Sequence, residues 1–401
     1  MWFKQIAISI PILLMCCVSP ASAQSSVTGN VNSIGSVALS TAGLDGFSQF
    51  VPQSTNNRRK LDYTVFDDIL NDVIVDLGPS TRIWQRKPDS AIGTRIVTGH
   101  KSPLRLEGRR VTFSVFNDEF NEGLTAYRQD LEQIATDYDI TQFPRKEQLA
   151  FWFNLHNLTV IEQIAKVYPT KRPRNLNVDV NGVTTNFHDA KIMNIKGVPL
   201  SLRDIRENIV YKNWRDPNVI YGFFHGDIGS PAIQNYAYTA GRVDDMLKQN
   251  AEEFVNSLRG FRLSRSTTGQ VSEIYETEGA FFFPDWQSGL RTHLLTHVNP
   301  VVKPDLLKSA ELKSTYYEDM IADLAGGVRP RIRNLAAQSS NPFDDANRNI
   351  SPEILRILRE SDRKFQILRQ RGVIGPRSGT VSIKDEETVD ENEEGSLANR
   401  P

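Results

Sequence analysis

The sequence predicts an α+β protein: a helix-rich single core domain with short strands and hairpins, and disordered termini. Three observations lead there. Residues 147–160 read Glu-Gln-Leu-Ala-Phe-Trp-Phe-Asn-Leu-His-Asn-Leu-Thr-Val, a run apolar enough for a buried helix. Between Leu176 and Leu200 the spacing changes to Val178, Val180 and Val183, then Ile192 and Ile195, with turn pairs at Asn181-Gly182 and Lys196-Gly197. Both ends are poor in apolar residues: Gln24 to about Asn57 is rich in Ser, Thr, Gly and Asn, and Lys384 to Glu394 holds seven acids.

The start of the chain has the form of a secretory signal peptide. Lys4 precedes an apolar run from Ile6 to Met15, and Ala21-Ser22-Ala23 forms a small-residue cleavage site before Gln24. The run is too short for a stop-transfer helix and no comparable one follows, so a soluble mature chain is expected, periplasmic or secreted and cut after Ala23. Cys16 and Cys17, the only cysteines, would leave with the leader, and Met15 before Cys16 argues against a lipoprotein site. Thiol catalysis, disulfides and cysteine metal sites are thereby excluded from the mature chain. With 47 basic against 48 acidic side chains, no electrostatic footprint for nucleic acid exists.

A flexible lead-in is expected over 24–57, and the core over 58–325. Phe66, Ile69, Leu70, Val73 and Leu77 recur at helical spacing up to Gly78-Pro79. Leu104, Leu106, Val111, Phe113 and Val115 flank Glu107-Gly108-Arg109-Arg110 as in a β-hairpin. Helices are expected from Asp118 to Asp137, Lys146 to Tyr168, Ser201 to Lys212 and Val243 to Leu258, with a strand from Val219 to Phe224. A linker follows over 326–350. Ser351-Pro352 then supplies an N-cap and first-turn proline for a basic amphipathic helix over 351–371, and an acidic tail occupies 372–401. That helix, with Ile354, Leu358, Phe365 and Leu368 along one stripe, packs on the core or meets a membrane surface or a protein partner. The run Glu278 to Trp286 is unusually aromatic and reads as core or as the lining of a groove.

The apolar run 147–160 resembles, together with Tyr168-Pro169, the domain of unknown function family number 547. Gly197-Val198-Pro199-Leu200-Ser201-Leu202-Arg203-Asp204-Ile205 is similar to that family's "G-x-x-L-S-L-x-D-I-E-H" segment, and Ala237-Tyr238-Thr239-Ala240 with Arg242-Val243-Asp244 to its "A-Y-T-A-x-R-L-D" segment. The resemblance covers about Arg145 to Leu263 and implies a fold and a context, with no agreed activity. The chain departs from the pattern in two places. His225-Gly226-Asp227-Ile228-Gly229-Ser230-Pro231 stands where relatives read "C-G-S-x-S-C-P", and Arg206-Glu207 stands where they read "E-H".

Two sets of candidate residues emerge. In the loop at 225–230, Ser230 has two readings: an N-cap ahead of Pro231, or a nucleophile with His225 as base and Asp227 orienting it. On the apolar helix, Asn154, His156 and Asn157 are polar groups that burial obliges to find partners. Two residues on a helix span about 200°, so Asn154 and His156 point to nearly opposite sides, while Asn154 and Asn157 are near neighbours able to hold one loop or ligand. His188-Asp189, His225 with Asp227, and His293 with His297 are the local metal candidates, and no third ligand accompanies any of them. No metal and no cofactor is expected, since P-loop and dinucleotide fingerprints are missing too. The resulting expectation is a binding or accessory module of the cell envelope, with hydrolysis of ester, peptide or related acyl bonds through Ser230 as the alternative.

Overall fold

Helix α3, Arg145–Val167, is the axis around which the rest is laid. Every residue from Glu147 to Ala165 is buried, as expected of a helix that is apolar around its whole circumference. The computed structural model describes residues 46–86, 100–329 and 351–374. The expected signal peptide, most of the expected linker and nearly all of the expected acidic tail lie outside these residues.

The described chain begins earlier than its composition suggests. Phe50 is fully buried and meets the Trp152 ring edge-on at 5.5 Å, and Gln53 N–H donates to the Thr141 carbonyl at 3.0 Å. One aromatic side chain anchors a stretch otherwise read as flexible lead-in. Helix α1 runs Thr64–Val73 and stops short of Leu77, because Ile74–Asp76 is strand β1. It pairs antiparallel with β2, Arg109–Val111, through Ile74↔Val111. The expected hairpin around Glu107-Gly108 is therefore replaced by a pairing of segments distant in sequence. Helix α2, Asp118–Asp137, starts on Asn117, whose side chain accepts from Phe120 N–H at 2.8 Å. It packs on α3 through Arg128, which donates to the fully buried Glu162 at 2.7 Å.

Two tight hairpins follow. β3 (Asn177–Val180) pairs with β4 (Val183–Asn186), and β5 (Met193–Ile195) with β6 (Val198–Leu200). Their turns place Asn181, Gly182, Lys196 and Gly197 at positive φ, which is why these pairs signalled hairpins in the sequence. The helix after Ser201 includes a π-helical stretch, Asp204–Val210. Pro217–Gly222 is a 3₁₀ turn where a strand was expected. Its backbone takes partners from helix side chains instead of from a neighbouring strand. Helix α4 spans Val243–Val255, and β7 (Phe261–Leu263), β8 (Thr268–Ser272) and β9 (Glu311–Tyr316) form a small mixed sheet, with β8 antiparallel to β7 and parallel to β9. Helices α5 (Trp286–His297) and α6 (Lys303–Lys308) fall between β8 and β9.

Helix α7, Pro352–Gln370, is capped by Ser351 Oγ, which accepts from Ile354 N–H at 3.3 Å. Its inner face is partly polar. Ile357 and Leu368 are buried, Lys364 Nζ donates to Gly78 and Leu106 carbonyls at 3.1 and 2.5 Å, and Glu360 accepts from Arg105 Nε at 2.6 Å. The helix is docked on the core, with Arg359 and Arg363 left on its exposed face. No described helix is long and apolar enough to cross a membrane.

Gly222 shows how tightly the chain closes on α3. A Cβ there would stand 2.3 Å from the Phe153 ring, which is fully buried between Phe223 and Tyr238. Gly222→Ala is expected to cost about 1–3 kcal/mol through overpacking. A urea midpoint within error of the parent's would refute that.

Candidate functional site

The polar residues of α3 each hold a separate piece of the surrounding chain. Asn154 Nδ2 donates to the Tyr238 carbonyl and its Oδ1 accepts from Tyr238 N–H, both at 2.8 Å. One turn further on, Asn157 Oδ1 accepts from Phe224 N–H at 3.0 Å while its Nδ2 donates to the Gly222 carbonyl at 2.9 Å. The two amides thus clamp opposite ends of the stretch leading through residue 225 to residue 238.

His156 faces elsewhere. Its Nδ1 lies 3.1 Å from Asn157 Oδ1 and its Nε2 lies 3.0 Å from Arg206 Nη1. An amide oxygen can only accept and a guanidinium can only donate, so His156 is the neutral, Nδ1-protonated tautomer. Burial and then the Arg206 charge hold it well below the usual imidazole range, in agreement. Arg206 is 3% exposed and sits in the π-helical stretch, a departure from α geometry common at functional sites. Its Nε is 3.3 Å from Glu278 Oε1, and Glu278 Oε2 accepts from Tyr211 OH at 2.5 Å. Hydrogen bonds therefore run from the Gly222 backbone through Asn157 and His156 to Arg206, whose ion pair with Glu278 extends the line to Tyr211.

Arg206 and Glu278, at the far end of this line, help to line a small cavity of about 100 Å³. His188 and His225 line it, their rings 5.6 Å apart, with Asp227 and Tyr317 on the side of the 225–230 loop and Arg174 and Arg203 among its other lining residues. Burial first, and the Arg206 guanidinium second, keep His188 and His225 uncharged. The 4.0 Å contact between His225 Nε2 and Glu278 is therefore no ion pair. Burial pushes Asp227 up to about 7 against the opposing hydrogen bond from Tyr317 OH at 2.7 Å.

Besides Arg206 Nε, which is held only by its ion pair with Glu278, three atoms around this cavity lack a hydrogen-bond partner in the protein: His225 Nε2, His188 Nδ1 and Asp227 Oδ2. All three residues are more than nine-tenths buried. Each unpaired group costs about 1–3 kcal/mol, so together they are a substantial expense for a purely structural arrangement.

Ser230 does not join them. It is fully buried, its Oγ donates to the Asp227 carbonyl at 2.8 Å, and it accepts from the backbone N–H of His225 at 3.2 Å. Ser230 N–H donates to Asp227 Oδ1 at 3.1 Å. The three residues of the proposed triad are neighbours, yet the serine meets the histidine's backbone and never its ring. Nor does a helix begin at Pro231, so the N-cap reading falls as well. The hydroxyl instead fastens a turn whose carbonyls at Ile228 and Ser230 accept from Arg259 Nη1 at 3.1 and 2.8 Å. Gly226, at φ +94°, lets this turn pass the end of Ile164, where a Cβ would stand 2.4 Å from Cδ1.

The remaining metal candidates have ordinary roles. His293 Nε2 bonds the Tyr221 hydroxyl at 2.9 Å, with the His297 ring packed against His293 at 4.9 Å. No cluster of three or more metal-binding side chains occurs among the described residues. In the aromatic run, Phe283 joins the core and Phe281 and Phe282 pack on Tyr211. Glu278, at the head of that run, and Tyr317 are site residues that the sequence did not single out.

Residues 140–255 match the family described as "Protein of unknown function, DUF547". This segment carries α3, the hairpins, the π-helical stretch and the 225–230 loop, and so one side of the cavity, while Glu278 and Tyr317 on the other side lie beyond it. No curated protein and no solved structure shows significant similarity to the chain. His225 and Arg206, which stand at positions where the sequence leaves the family pattern, both line this one cavity.

Proposed function

We propose that the protein is an exported binding or accessory module of the cell envelope, and that its binding site is the cavity of His188, His225, Arg206 and Asp227. The observation that carries this reading is the convergence on one small, open cavity of three buried polar atoms without a hydrogen-bond partner. A ligand supplying their missing hydrogen bonds would recover a desolvation cost already incurred in the folded protein. Export rests on the Lys4, Ile6–Met15 and Ala21-Ser22-Ala23 pattern.

The substitutions relative to the family pattern point the same way. In the resemblance drawn from the sequence, His225 stands where the pattern reads cysteine and Arg206 where it reads glutamate, so imidazole and guanidinium take the places of a thiol and a carboxylate. Hydrolysis through Ser230 requires an exposed hydroxyl beside an imidazole, and Ser230 Oγ is committed to backbone.

Two measurements test the reading. Intact mass after treatment with a fluorophosphonate probe, with Ser230→Ala as control, should show no adduct, and stoichiometric labelling lost in the variant would sink it in favour of a hydrolase. Cells expressing the full chain should release from their periplasm a protein beginning at Gln24.

A further inference from the structure

We infer that the cavity receives a small oxyanion, the carboxylate or phosphoryl end of a ligand, and that one of its imidazoles takes up a proton as the anion enters. The inference rests on the binding reading above and specifies its chemistry.

Size is the first argument. A volume of about 100 Å³ is a few times the roughly 30 Å³ share of one liquid water molecule, enough for one carboxylate or phosphoryl group. The body of the ligand would remain outside. There Arg174, paired with Glu273 at 3.1 Å, and Arg203, paired with Asp189 and Glu207, flank the opening.

Hydrogen-bond capacity is the second. Arg206 can only donate, and the free nitrogens of His225 and His188 donate when they carry a proton, one as the protonated ring and the other as the appropriate neutral tautomer. Asp227 Oδ2 becomes a donor when its carboxyl holds a proton, the form burial favours up to about pH 7. An acceptor-only group satisfies all of them together. An ammonium group would instead leave the imidazoles to compete as acceptors beside a fixed guanidinium.

Charge is the third. Arg206 is already matched by Glu278, and His156 is locked as a neutral acceptor by Asn157. Around His225 stand His156 from α3, Arg206 from the π-helical stretch and His188 from the loop after β4. Glu278 faces it at 4.0 Å, and Asp227, Tyr317, Arg174, Arg203 and Glu273 are the other titratable groups of the lining. An arriving anion thus finds no uncommitted positive charge. It favours the charged form of the nearest imidazole, and proton uptake supplies the balance.

The test uses the full chain and four probes: sodium acetate and sodium sulfate, whose charges stay fixed between about pH 6 and 8, and glycerol and acetamide as neutral controls. Titration calorimetry in buffers of different ionisation enthalpy counts protons, and imidazole ¹H–¹⁵N spectra report the site. Acetate or sulfate should bind with uptake of about one proton and weaken about tenfold per pH unit as pH rises. Arg206→Gln should abolish binding. His225→Gln, or His188→Gln if that variant fails to fold, should flatten the pH slope. Binding of glycerol or acetamide but of neither anion would overturn the oxyanion while leaving the binding reading intact. Anion binding without proton uptake would overturn the coupling, and silence from all four probes would overturn both.

Discussion

Lowering the pH from about 7 to about 5 should unfold the protein cooperatively. All six histidines, His100, His156, His188, His225, His293 and His297, are buried, and burial drives each below the ordinary imidazole range, to about 3 for His100 and His293. In the unfolded chain they protonate near pH 6.5. Below that value the unfolded state binds up to six more protons than the folded state, so the histidine contribution to stability is present above pH 6.5 and lost as pH falls. Asp227 and Asp323 act in the opposite sense. Burial raises them to about 7 and about 6, so between about pH 4 and 6 the folded state holds protons that the unfolded state has released. Glu107, Glu132 and Glu147, also raised by burial, act with the aspartates, so about four protons, or about 5 kcal/mol per pH unit, is the upper limit of the net difference, against a typical total stability of 5–15 kcal/mol. Urea midpoints followed by near-ultraviolet circular dichroism across this range are the measurement. A midpoint that moves by the equivalent of less than about 1 kcal/mol between pH 7 and 5 would show that the histidines are not held neutral.

Much of this architecture is legible in local chemistry. Asn117 before α2 and Ser351-Pro352 before α7 announce helix starts, and Asn181-Gly182 and Lys196-Gly197 announce turns, because each depends on side chains within a few residues. The failures share a different cause. Val219 to Phe224 has the composition of a strand, but its backbone is bonded by the side chains of Asn157, more than sixty residues earlier, and Asn250, 29 residues later, and a 3₁₀ turn results. Strand β1 was hidden in a helical pattern because its partner, β2, lies beyond a long connection.

The site divides along the same line. His225, Asp227, His156 and Asn157 stand out as polar residues in apolar surroundings, and the structure brings them to one place. What the sequence cannot display is direction. Ser230 and His225 are five residues apart, and only the path of the turn through Gly226 decides that the hydroxyl meets a backbone N–H. Arg206, Glu278 and Tyr317 come from three separate segments, and of these only Arg206 left a signal, as a departure from the family pattern.

Asn157→Leu should be the most damaging conservative substitution on α3, costing about 3–5 kcal/mol. The replacement nearly preserves volume, so packing contributes little. The loss comes from stranding the Gly222 carbonyl, the Phe224 N–H and the Nδ1 proton of His156, each a buried group worth about 1–3 kcal/mol when unpaired. Partial relaxation keeps the total below the sum. Asn154→Leu is the matched comparison: it strands only the N–H and carbonyl of Tyr238 and should cost less. The two should also differ at the cavity. Without Asn157 nothing fixes the His156 tautomer, so Arg206 loses its assured acceptor and the imidazole resonances of His188 and His225 should shift in Asn157→Leu but not in Asn154→Leu. A double-mutant cycle between Asn157→Leu and Arg206→Gln tests the link through His156, with a coupling above about 0.5 kcal/mol expected for groups sharing one network. Additive costs, with unmoved imidazole resonances, would mean that α3 anchors the 222–238 stretch and the cavity independently. Coupling would mean that the most apolar helix of the chain carries its polar residues to hold one arginine in place.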